Sequence, residues 1–171
     1  MVSLSLIAIG CLVGWFFVAS DGSLVSSRLA VVTCLLIVQV PLDLLARRLA
    51  RSPTLLALSA LVAIQIVDAL EDGKSRYFLS QVTATLLVVS ALTLMFWISP
   101  RSLGLGDVLL AAPLAVAVSS VSVPSLAIWL LIASCSASIH GVVLRVFAGN
   151  RYVPFGPHLL GAAWSVLMVS V

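Results

Sequence analysis

An all-α, polytopic membrane helix bundle of about seven transmembrane helices, six if the first is cleaved, is the architecture this sequence predicts. Three observations lead there. Of 171 residues, 62% are hydrophobic and only 9% charged, whereas a soluble domain carries roughly a quarter charged residues. The apolar stretches are continuous rather than alternating, which favours helices over barrel strands, because backbone in lipid must satisfy its own hydrogen bonds. The connectors are short, with no repeat, low-complexity tract or linker, so residues 1–171 read as one membrane-embedded domain.

The first apolar run, 2–19, lacks the basic segment that precedes a cleaved leader, and we expect it to be retained as a helix. Further runs cover 29–45, 54–69, 77–98, 107–118, 125–147 and 157–171. The third and fifth are short of the roughly 20 residues a crossing needs, and are expected to be tilted, frayed or sheltered by protein.

Charge orients these runs. With the amino terminus inside and sides alternating, Arg47, Arg48, Arg51, Arg101, Arg145 and Arg151 fall on the inner face, against Arg28, Lys74 and Arg76 outside. That asymmetry obeys the positive-inside rule, so the net charge of +3 reports insertion direction and no nucleic-acid partner is expected. Cys11, Cys34 and Cys135 lie inside apolar runs without a C-x-x-C pair, as buried thiols rather than zinc ligands. Asp68, Glu71 and Asp72, near Lys74 and Arg76, read as a solvated outer loop of mixed charge.

Asp43 and Asp107 differ from the other acids: each sits on the inner side at the boundary of an apolar run. An ionisable group at membrane depth costs about 2.5 to 3.5 kcal/mol on insertion scales and is normally kept for a partner or a task. Two such carboxylates brought to one water share a proton, giving one base and one acid, which is what hydrolysis of a peptide bond by activated water requires. The plainer reading, in which each Asp caps a helix or pairs with an Arg, stands beside it at this point.

The flanking residues tip the balance. Asp107 follows Gly104, Leu105 and Gly106, and the Gly-Leu-Gly-Asp stretch opens a new apolar run. In this the chain resembles the type IV prepilin peptidases, membrane aspartyl proteases of the G-x-G-D kind. The segment LGLGDVLL (103–110) is similar to that family's second-aspartate motif, PLDLLARRLARSP (41–53) to its first-aspartate segment, and YVPFGPHLLG (152–161) to the Pro-Phe-Gly-Pro stretch opening its last helix. The resemblance implies Asp43 and Asp107 as the catalytic acids, with Gly104, Gly106, Pro154, Phe155, Gly156 and Pro157 supporting the site.

Two departures go with it: Pro53 follows Asp43 by ten residues where the family commonly has about seven, and Leu109 stands where it commonly has Lys. The zinc and methyltransferase segment of larger members has no counterpart here. The implied protein is a peptidase-only form that cuts the leader of pilin-like precursors at the cytoplasmic face of the inner membrane, without metal or organic cofactor. A small transporter or proton-relay component, or an inactive assembly partner, is the alternative.

The remaining features have plain expectations. Arg47, Arg48, Arg51, Arg145 and Arg151 serve as topology anchors, and Trp15, Trp97 and Trp164 as interfacial ones. His140 and His158 lack a third ligand, so no metal site is expected. Pro154 to Pro157 form a rigid turn that delivers the last helix.

Overall fold

The computed structural model describes residues 24–46, 51–72, 75–98, 104–147 and 155–170, and every regular element among them is helical. In chain order these are α1 (Leu24–Ala46), α2 (Arg51–Asp72), α3 (Ser75–Ile98), α4 (Leu105–Ser119), α5 (Val123–Phe147) and α6 (Gly156–Val169). The expected first span, 2–19, lies outside the described residues.

The expectation of about seven membrane-crossing helices, or six, is not met. Among the described residues three helical stretches are long and apolar enough to cross a bilayer: Arg51–Leu70 in α2, Arg76–Ile98 in α3 and Val123–Phe147 in α5. The stretches Ser27–Val40, Leu105–Ser119 and Gly156–Val169 are apolar but short. At ~1.5 Å per residue the 15 residues of α4 span about 22 Å, against a hydrocarbon core of about 30 Å.

The reason lies in what α4 buries against. From Val108 to Ser119 all but two of its residues are buried, and it packs on each of the other five helices. Its apolarity serves a protein core, and sequence hydropathy does not tell a protein neighbour from a lipid one. Small residues, Ala111, Ala115 and Ala117, let the surrounding helices approach, while Leu110 and Leu114 fill the gaps with no exposed surface. Trp129, Leu159, Leu160 and Leu167 close the core from α5 and α6.

Successive helices run antiparallel. Gln39 Nε2 donates to Thr54 Oγ1 at 2.7 Å near one end of the α1–α2 pair, and Arg28 forms an ion pair with Asp68 toward the other. Gln65 Nε2 donates to Gln81 Oε1 at 3.0 Å across α2 and α3, and Thr85 Oγ1 to Ser119 Oγ at 3.2 Å across α3 and α4. The end of α1 and the starts of α2, α4 and α6 therefore share one end of the bundle.

Polarity is inverted relative to a soluble protein. The buried stripe of α2 is Thr54, Ala57, Leu61 and Gln65, and that of α3 contains Gln81 and Thr85. Leu55, Leu56, Ile66, Leu70, Leu86, Leu87 and Leu94 point outward. Together with the three long helices, this outward apolar face makes the chain a multi-pass membrane protein whose neighbour is a lipid bilayer.

Three local expectations change. Asp68 is not in a solvated loop: it lies within α2, and its partner Arg28, expected in an outer loop, lies in α1 with only 5% of its side chain exposed. Cys135 is exposed rather than buried, and Cys34 half-buried. Trp164 is half-buried, its Nε1 donating to Thr33 Oγ1 of α1 at 3.2 Å, so it ties α6 to α1.

Leu114→Ala opens a cavity at the centre of the bundle and should lower stability by about 2–5 kcal/mol in reversible mixed-micelle unfolding. Leu131→Ala, on the outward face of α5, should change it by less than about 1 kcal/mol in the same assay.

Candidate active site at one end of the bundle

Gly104 is the N-cap of α4, with φ −78° and ψ 146°, and its carbonyl accepts the N–H groups of Asp107 at 3.0 Å and Val108 at 3.3 Å. Asp107 stands at the third helical position. Its Oδ2 reaches back to accept the Gly104 N–H at 3.2 Å, one half of a capping box. The carboxylate thus lies in the first turn, beside the partial positive charge of the helix N-terminus. Asp107 itself is half-buried.

Glycine at 104 leaves room for this closeness. A Cβ there would stand 3.2 Å from Asp107 Oδ2, tighter than an ordinary contact, so the carboxylate would have to give by a few tenths of an ångström. Gly106 sits in the same first turn of α4. Further along, Pro113 removes the N–H that would pair with the carbonyl of Leu109, two residues beyond Asp107.

Asp43 lies near the end of α1, at the end of the bundle from which α4 departs. Its side chain is outside the described residues, as is that of Pro41, so the separation of the two carboxylates is not part of the described structure. Pro154 is outside them too. Phe155 is the N-cap of α6, and its carbonyl accepts the N–H groups of His158 and Leu159, both at 3.1 Å. Gly156 is buried and Pro157 occupies the first turn, where a missing N–H costs nothing. That stretch therefore starts α6 at the same end as Asp107.

A polar chain that the sequence reading missed joins α5 to α6. His140 Nδ1 and His158 Nε2 are 2.9 Å apart, and His158 Nδ1 lies 3.0 Å from Ser136 Oγ. With the Ser136 hydroxyl proton placed on the Ala133 carbonyl at 3.0 Å, its oxygen accepts from His158 Nδ1–H. His158 Nε2 is then bare and accepts from His140 Nδ1–H. The chain has one direction, ending on a backbone carbonyl. The signal for it was two histidines in apolar runs, whose partners lie 18 and 22 residues away. Among the described residues no three His, Cys, Asp or Glu side chains gather as a metal site would require.

Two outcomes follow. Asp107→Ala should cost about 1 kcal/mol of stability through loss of the cap, with Asp107→Asn costing less because its amide oxygen still accepts, both read by thermal unfolding in detergent. In ¹⁵N spectra recorded where both imidazoles are neutral, His140 and His158 should each carry the proton on Nδ1; protonated Nε2 on His158 would refute the direction assigned to the chain.

No protein-family model matches the chain, and neither a curated protein nor a solved structure matches it.

Proposed function

We propose that this chain is a membrane aspartyl endopeptidase that removes the leader from pilin-like precursors at the cytoplasmic face of the inner membrane. The observation that carries the reading is Asp107: a half-buried carboxylate in the first turn of α4, held by a Gly-x-Gly-Asp turn in which the glycine at 104 permits its close approach. Support comes from the antiparallel order of the helices, by which α1 brings Asp43 toward the end where α4 begins and α6 starts from the Phe-Gly-Pro turn. The resemblance of 41–53, 103–110 and 152–161 to the prepilin peptidases supplies the substrate class.

In this reading the two carboxylates share one proton. The ionised one takes a proton from water as oxygen attacks the scissile carbonyl, and the protonated one donates to the carbonyl oxygen, giving a tetrahedral diol. Collapse of the diol breaks the C–N bond as a proton passes to the departing amine, and the pair again holds one proton. The chemistry calls for neither metal nor nucleophilic side chain. A substrate with an apolar helix behind its cleavage site can remain in the bilayer against the outward faces of the bundle while its leader stays in water.

The test is cleavage of a pilin-like precursor from the same organism by purified protein in lipid. Wild type should yield the mature fragment with a bell-shaped pH dependence, because one acid and one base are needed together. Asp43→Asn and Asp107→Asn should each reduce the rate by at least ~10³-fold with helical content unchanged. Normal cleavage by either variant would refute the assignment, and folded wild-type protein that cleaves nothing would leave an assembly or transport role.

A further inference from the structure

At the end of the bundle opposite Asp107, a part-enclosed cavity of about 360 Å³ is lined by Gln65, Asp68, Tyr77, Phe78, Gln81 and Ser120. It follows from helix length. α4 stops at Ser119, while α2 and α3 are 22 and 24 residues long and continue past it, so the space beyond its last turn is walled by their polar stripes.

Gln65 and Gln81 are more than nine-tenths buried, and the one hydrogen bond between them uses half of each amide. Gln65 Oε1 and Gln81 Nε2 make no other hydrogen bond among the described residues. An acceptor and a donor are left in the cavity wall, and exchanging the nitrogen and oxygen of both amides leaves the same pair. Because both amides line the cavity, this remaining donor and acceptor are available to an occupant.

The rest of the wall decides the occupant. Asp68 is one-third exposed and ion-paired with Arg28, which is not among the lining residues, and its carboxylate keeps lone pairs for a further donor. Ser120 donates its proton to the Ala117 carbonyl at 2.6 Å, so its oxygen can only accept. The C-terminus of α4 adds partial negative charge, and Tyr77 and Phe78 add aromatic rings. Acceptors, rings and a helix C-terminus suit a cation rich in N–H donors, while the Gln81 amide suits an oxygen beside it.

We propose that this cavity binds a primary ammonium group with an oxygen two carbons away, the ethanolamine pattern, presented by a lipid head group or by a free amine. The proposal is independent of the protease reading. It needs only the end of the bundle that Asp107 does not occupy.

The test uses the full chain in nanodiscs of pure phosphatidylcholine, titrated calorimetrically with ethanolamine, with ethylamine and with choline. Saturable binding of ethanolamine, at least tenfold tighter than choline, which lacks N–H donors, is expected if the free amine is the source. If the lipid is the source, native mass spectrometry of protein from mixed discs should show phosphatidylethanolamine retained over phosphatidylcholine. Gln65→Leu should weaken whichever binding is seen tenfold. Gln81→Glu, which keeps the acceptor for Gln65 but replaces the amide donor with a carboxylate, should still bind the ammonium group while losing the preference for ethanolamine over ethylamine, and so guards against a loss caused by misfolding. Absence of both ethanolamine binding and phosphatidylethanolamine enrichment, or binding indifferent to both variants, would overturn the proposal.

Discussion

The enclosure of α4 is the constraint from which the rest of the bundle follows. A helix in contact with all five others, and carrying alanine at 111, 115 and 117, fixes how closely its neighbours can lie. Its first turn is a capped carboxylate and its last is a serine bonded to Thr85. One short element therefore sets the depth of a polar feature at each end. The long helices α2, α3 and α5 face outward with leucine, isoleucine and valine, and isolate that axis from lipid.

Because lipid offers no hydrophobic reward for helix association, specificity rests on close packing and a few hydrogen bonds. Each pair here links particular helices: Gln39 with Thr54, Gln65 with Gln81, Thr85 with Ser119, Trp164 with Thr33. Such bonds average only about 0.6 kcal/mol in membranes. Their value lies in register, since a slip of one residue would turn each buried amide or hydroxyl toward hydrocarbon. The ion pair of Arg28 with Asp68 adds the same constraint more severely, because Arg28 is almost wholly buried.

Helical class and membrane location were legible in continuous apolar runs, and the Gly-Leu-Gly-Asp turn in three small residues beside a charge. The number of crossings was not, because 105–119 is as apolar as any lipid-facing stretch and differs only in what surrounds it. Asp68 was read as loop from its charged neighbours, yet α2 runs on through Asp72 and the partner of Asp68 lies 40 residues away. The visible trace of such partners was polar side chains inside apolar runs: Gln39, Gln65, Gln81, His140. Sequence marks that they need something to bond; only the packing of helices says what.

The shortness of α4 also has an electrical meaning. With water in the polar cavity past its last turn, the low-dielectric layer along α4 would be about 22 Å thick, against about 30 Å for a hydrocarbon core. A membrane potential falls across the insulating layer, so the local field along α4 would then be steeper by about a third than through the surrounding bilayer. Asp107 stands at one end of that short path and the polar cavity at the other, so the two polar features of the bundle are separated by less than the thickness of a hydrocarbon core.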